Sequence, residues 1–179
     1  MSQRPTPVLI VMGSDSDLPV ISQAADTLAA FDVACHMRIL SAHRVPQMVA
    51  ELAGQAREQG YQVIIAAAGM AAHLPGVIAA YTTLPVIGVP LASKVLDGQD
   101  ALYSIVQMPP GVPVATVGIG AAKNAALLAL QIIGVGDERV AVALQAEKER
   151  MAQAVLEKDA RLQSLGHQAY SQKQGDEMR

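Results

Sequence analysis

The side chains best suited to chemistry in this chain fall in three short segments. In Ser41-Ala-His-Arg44, a histidine that can move protons near neutral pH stands beside an arginine whose planar fork can hold a phosphate bidentately. Gly13-Ser-Asp-Ser-Asp17 opens a helix, where unpaired N–H groups and the positive dipole end favour an anion. There Ser14 and Ser16 add hydroxyl donors without bulk, and Asp17 suits a ribose diol. Gly69-Met-Ala-Ala-His-Leu-Pro-Gly76 sets His73 among small apolar residues, with Gly69 and Gly76 allowing close backbone approach.

Each segment also has a plainer reading. Ser14, Ser16 or Asp17 can simply cap the helix, a loop histidine is usually solvated, and the third segment serves equally as a strand-to-helix turn. Context favours chemistry, because Arg44 is one of only six cationic residues before Asp137, in a body otherwise poor in polar side chains. Metal binding is not expected: His43 and His73 have no third ligand at a recognisable spacing, and His36 and His167 lie in a strand and in the tail. Neither G-x-G-x-x-G nor a Walker sequence occurs, so neither a dinucleotide nor ATP is supported, and no cofactor is expected. Cys35 has no partner for a disulfide and reads as a small buried hydrophobe beside a strand.

Composition narrows the class. With 179 residues, 51% of them hydrophobic, the chain suits one domain with a real core. The formal net charge of −3 provides no basic footprint for nucleic acid. No apolar run reaches the ~18 residues of a membrane span, and the start lacks a signal core, so a soluble cytoplasmic protein is expected. Of 29 charged residues, 15 lie from Asp137 onward, leaving 14 in the first 136. With one Phe, no Trp and 31 alanines, such a body has tightly packed elements and an apolar exterior that invites burial in a homo-oligomer.

Short β-branched runs alternate with segments of helical period, as in a parallel sheet covered on both faces. Strands are expected at Val8–Met12, Ala34–Leu40, Val63–Ala67, Pro85–Val89 and Val114–Ile119. Helices are expected at Asp17–Ala30, Pro46–Glu58, Pro75–Tyr81, Gly98–Val106 and Asn124–Ile133. Right-handed crossovers make this an α/β fold, a doubly wound three-layer sandwich with a five-stranded parallel sheet in the flavodoxin-like order 2, 1, 3, 4, 5. Residues 1–136 form this domain, and 137–179 an extension of it. The extension reads as a charged amphipathic helix over Asp137–Leu165, frayed from Gly166 and packed on a neighbouring subunit through Val140, Leu144, Met151 and Val155. The three polar segments then meet beyond the carboxyl ends of the first three strands, where open sheets bind ligands.

Met12-Gly-Ser-Asp-Ser-Asp17, Ser41-Ala-His-Arg44, Ala71-Ala-His-Leu-Pro-Gly76, Leu84-Pro-Val-Ile-Gly-Val-Pro90, Leu102-Tyr-Ser-Ile-Val-Gln-Met-Pro109 and Asn124-Ala-Ala-Leu-Leu127 run in the same order in a known family. Together they resemble class I N5-carboxyaminoimidazole ribonucleotide mutase of de novo purine synthesis. The resemblance implies a flavodoxin-like subunit of a homo-octamer with sites shared between chains. It implies a ribonucleotide substrate bearing a carbamate, and an ATP-dependent synthetase that supplies it. By residue match, Ser14 and Arg44 would bind phosphate, Asp17 the ribose, and His43 would carry the proton, with Ser16 and Ser41 lining the same site. His73 with Gly69, Met70, Ala71 and Leu74 would line the base and carboxylate pocket. The alternatives are a carboxylating relative acting on another aromatic mononucleotide and a non-catalytic nucleotide-binding oligomer. Departures from the family pattern are Met70 and Ala67 in place of glycines, Tyr81 in place of a lysine, and a short turn at Gly120–Asn124.

Overall fold

The computed structural model describes residues 6–177, with side chains to residue 172. Five parallel strands, β1 (Val8–Met12), β2 (Cys35–Ile39), β3 (Val63–Gly69), β4 (Val86–Leu91) and β5 (Ala115–Thr116), line up in the order β2-β1-β3-β4-β5. Between them lie α1 (Leu18–Ala30), α2 (Pro46–Gln55), α3 (Leu74–Tyr81) and α4 (Gln99–Val106), followed by α5 (Ala122–Gly134) and α6 (Glu138–Glu177). This is the doubly wound α/β sandwich expected from the sequence.

The alternation of side chains along each strand divides the core in two. Leu9, Val11, Ile64 and Ala66 face one way, onto Val49 and Ala53 of α2, Leu74 and Ile78 of α3, and Ala101 and Ile105 of α4. On the other face, α1 packs beside α5, and Ala122, Ala125, Ala126 and Ala129 are fully buried. Alanine has little side chain to hold the elements apart, which is why so many can be placed at a close approach. β1, β3 and β4 are apolar on both faces because both are covered. At Gly88 even a methyl group would overlap Ile105 and Val114, so only glycine lets α4 and the segment before β5 close on β4.

Several boundaries differ from expectation, among them β3, which runs to Gly69 rather than Ala67, and α2, which ends at Gln55 rather than Glu58. β4 runs past Pro90 to Leu91, with Pro90 paired to Ala68 in the ladder. Proline cannot donate, but the Pro90 carbonyl accepts from the Gly120 N–H on the β5 side. The missing donor therefore faces a side where β5, paired only with Ile87 and Gly88, has already ended. β5 is two residues rather than the six expected, since Gly118 and the left-handed Gly120 turn the chain out of the ladder. The helix expected to end at Leu165 resumes after a break at Gly166 (φ 71°, ψ 161°) and reaches Glu177, so the expectation of fraying is wrong. The Arg161 guanidinium lies 5.9 Å from the Tyr170 ring centroid, spanning that break.

One compact unit ends at Val140 and a second begins at Ala141. Asp137 caps the first turn of α6 by accepting from the Arg139 and Val140 N–H groups. Val140 is 1% exposed, so it belongs to the core of its own chain rather than to a neighbour's surface as expected. Cys35 is half-buried on the edge strand β2, and burial pushes its thiol pKa up.

Candidate active site

The carboxyl ends of β1 to β4 surround a cleft of about 700 Å³. Every residue expected at the site lines it: Ser14, Ser16, Asp17, Ser41, His43, Arg44, Gly69, Met70, Ala71, His73 and Leu74.

The segment after β1 folds as a single 3-10 turn, Asp15–Asp17, that leads into α1. Ser14 caps it: its hydroxyl accepts from the Ser16 N–H at 3.2 Å, while its own N–H donates to Asp17 Oδ2 at 3.0 Å. The plain capping role is therefore real. It leaves Asp17 Oδ1 only a 3.4 Å contact from the Ser16 hydroxyl. Burial raises the Asp17 pKa above its ordinary value, against hydrogen bonds from Ser14, Ser16 and Gly13 that lower it, and the neighbouring Asp15 charge adds to the rise.

That direction fixes a pH dependence. Folded Asp17 holds its proton to higher pH than unfolded Asp17, so the fold loses stability as pH rises from about 4 through the raised value. Asp17→Asn keeps an acceptor for Ser14 and removes the titration. In urea unfolding at a series of pH values, the stability of the variant relative to wild type should rise with pH across this window and then level off. A difference independent of pH would contradict the assignment.

After β2, the Arg44 and Val45 N–H groups donate to the Ser41 carbonyl, closing a turn that puts His43 and Arg44 on the rim, both exposed. After β3, the Ala72 N–H donates to the Met70 carbonyl at 2.9 Å and the His73 N–H to the Ala71 carbonyl at 2.6 Å. These tight turns deliver His73 to the start of α3. The two histidines meet there: His43 Nε2 lies 2.8 Å from His73 Nδ1, with the rings edge to face at 74°. One nitrogen must donate and the other accept, so the pair can pass a proton but cannot hold one on both facing atoms. Sequence reasoning placed His73 in the pocket wall; the structure makes it the hydrogen-bond partner of His43.

Met70 adopts a left-handed conformation (φ 57°), and the residue is 62% exposed. A non-glycine residue there costs on the order of 1 kcal/mol. Ala67, in contrast, is buried in β3 between Met12 and Val89, where a methyl group fits. Tyr81 ends α3, 56% exposed.

The cleft has a fourth wall that sequence reasoning missed, formed by Leu91, Ala92, Ser93, Lys94 and Val95. Its signal was position alone, immediately beyond β4. Among the described residues it supplies the second cation of the cleft, Lys94, and the Ser93 hydroxyl is buried without a hydrogen-bond partner. No three His, Cys, Asp or Glu side chains among the described residues cluster as metal ligands, and no described helix is long and apolar enough to cross a membrane.

The family model for AIR carboxylase matches residues 7–154, the whole sheet and its cleft. The chain belongs to the AIR carboxylase family. A relative from Thermotoga maritima named N5-carboxyaminoimidazole ribonucleotide mutase is 53% identical over 161 residues, 90% of this chain and 94% of its own. A Pyrococcus abyssi protein of the same name is 55% identical over 161 residues, 90% of this chain and 92% of its own. The crystal structure of Treponema denticola PurE matches with a TM-score of 0.79 at 31% identity, covering 87% of this chain and 97% of that one. Within this AIR carboxylase frame, the cleft bounded by the His43–His73 pair and Arg44 is the candidate catalytic centre.

Proposed function

We propose that this chain is a mutase that moves the carboxylate of N5-carboxyaminoimidazole ribonucleotide from the exocyclic nitrogen to C4, giving the 4-carboxy-5-amino isomer. The observation that carries this reading is the hydrogen-bonded His43–His73 pair beside Arg44 in one cleft of an AIR carboxylase family chain. Arg44 and the Ser14 and Ser16 hydroxyls hold the phosphate, and Asp17 the ribose hydroxyls. Ser41, Gly69, Met70, Ala71, His73 and Leu74 shape the pocket for base and carboxylate.

His43, as general acid, protonates the carbamate nitrogen as its C–N bond breaks and carbon dioxide forms. C4 of the electron-rich aminoimidazole attacks the trapped carbon dioxide, and His43 then takes the C4 proton. One proton is given and one recovered, so a single histidine serves without cofactor or metal. His73 orients the imidazole through its hydrogen bond. The small side chains of Ala68, Ala71 and Ala72 help keep water from the reacting carbon.

Incubation of the chain with the carbamate ribonucleotide, in chelator and without ATP or bicarbonate, should yield the 4-carboxy isomer. Met70, in place of the usual glycine, favours a second reading as a carboxylating enzyme of another aromatic mononucleotide. Binding of the ribonucleotide without conversion, with conversion of a pyridinium mononucleotide instead, would select it.

The active form we propose is a cytoplasmic homo-octamer fed by an ATP-dependent synthetase of the carbamate. The association is supported by exposed apolar surface: Ile39, Met48, Tyr103 and Val106 on the body, and Met151, Val155 and Leu162 on α6, are each at least 36% exposed; the copy number, the compartment and the synthetase rest on the family resemblance. Large apolar patches are seldom left wet. Since Val140 belongs to the body, the informative truncation ends there. By light scattering, removing residues 141–179 should lower the oligomer order and activity together. A full-length chain that is monomeric at micromolar concentration would contradict the octamer; a truncated chain that stays octameric would contradict only the clamping role of the tail.

A further inference from the structure

Met70 bears a backbone cost that its packing does not repay. Its φ of 57° lies in the left-handed region, yet 62% of the residue stays exposed, so little burial is gained in exchange. The side chain nevertheless lines the cleft that holds His43 and His73, three residues before His73 in the same tight loop. The two histidines of that pair are themselves exposed in the single chain, so no other part of this chain covers them. Of the large aliphatic side chains lining the cleft, Leu74 and Leu91 are buried in its walls, and only Met70 and Val95 (79%) stand free. Val95 is short and stiff at χ1. Met70 is unbranched, with three rotatable bonds beyond Cα, and can fold over an irregular opening.

We propose that Met70 is the apolar cover of the carboxyl-transfer centre: its thioether side chain closes over the histidine pair and retains carbon dioxide between bond cleavage and bond formation. This rests on the mutase reading above. In that reaction the carbamate C–N bond breaks with its electron pair left on the protonated nitrogen. Neutral carbon dioxide then waits for attack by C4, whose proton returns to the base. Carbon dioxide is small and uncharged, so no hydrogen bond or ion pair can hold it. Only exclusion of an exit path can, and an apolar chain at the mouth supplies that without binding the gas.

The test supplies unlabelled carbamate ribonucleotide together with ¹³C-bicarbonate and carbonic anhydrase, and reads the labelled fraction of the C4 carboxylate by mass spectrometry. Carbon dioxide that escapes is replaced by labelled gas. Met70→Ala keeps the left-handed strain but loses the cover, and Met70→Gly loses both. Both should raise the labelled fraction by at least about threefold over wild type, while Met70→Leu, strained but still apolar and long, stays near the wild-type value. Because glycine relieves the backbone, that variant keeps the test open if the alanine variant folds poorly. Equal labelling of wild type, Ala and Gly chains would overturn the proposal, as would a Leu chain that leaks as much as Ala. Absence of product from the wild-type chain would instead overturn the mutase reading, and the cover with it.

Discussion

Replacing His43 with asparagine should abolish turnover, by about 10²- to 10⁴-fold, while nucleotide affinity stays within about tenfold of wild type. Asparagine is polar and of similar reach, but it can neither give the proton to the carbamate nitrogen nor take the one from C4. The proposed phosphate and ribose contacts, from the segment after β1 and from Arg44, line the same cleft and are left in place by the change. In the proposed mechanism one group serves both proton transfers, so losing it stops the cycle at its first step. Steady-state kinetics and calorimetric titration with a product analogue separate the two effects. A variant retaining more than about a tenth of wild-type turnover would show that His43 is not the proton carrier.

Arg44→Ala should weaken ribonucleotide binding by about 2 to 4 kcal/mol, roughly thirty- to a thousandfold in Kd. Arg44 makes no ion pair among the described residues, so its guanidinium fork is uncommitted before the phosphate arrives. Phosphate binding desolvates both partners, and truncation leaves the phosphate to serine hydroxyls, N–H groups and whatever charge Lys94 can bring. Lys94, the other cation of the cleft, bounds the loss. An unchanged Kd would place Arg44 outside the phosphate site.

What the sequence made legible follows from what decides each element. β1 was read at its observed limits because a strand buried on both faces is an unbroken apolar run, and VLIVM ends where Gly13-Ser14 begins. The sheet order followed from short strands separated by helices, which leave few right-handed solutions. Sequence overextends β5 because Val114 to Ile119 is largely apolar, while the glycines that leave the ladder act through backbone angles that composition does not express.

The same limit governs the site. Its eleven expected residues converge because each sits at the carboxyl end of a strand or in the segment that follows it, so sheet topology brings them together. The wall from Leu91 to Val95 is hidden in the sequence because Pro90 looks like the end of β4, although its missing donor faces a side where β5 has ended. The His43–His73 hydrogen bond is a tertiary pairing across thirty residues, which no local pattern announces. Val140 looked like a residue awaiting a neighbour because periodicity reports an apolar position without saying which surface covers it.

The central claim is that the carboxylate migrates within one substrate rather than being taken from solution. It is tested most directly by supplying the ribonucleotide with ¹³C in its carbamate carbon, in chelator and without ATP or bicarbonate, and following the reaction by ¹³C NMR. The carbamate signal should be replaced by that of a C4 carboxylate carrying the label. Label released to bicarbonate, with 4-carboxy product formed only when unlabelled bicarbonate is added, would contradict it and make the chain a carboxylase that takes carbon dioxide directly.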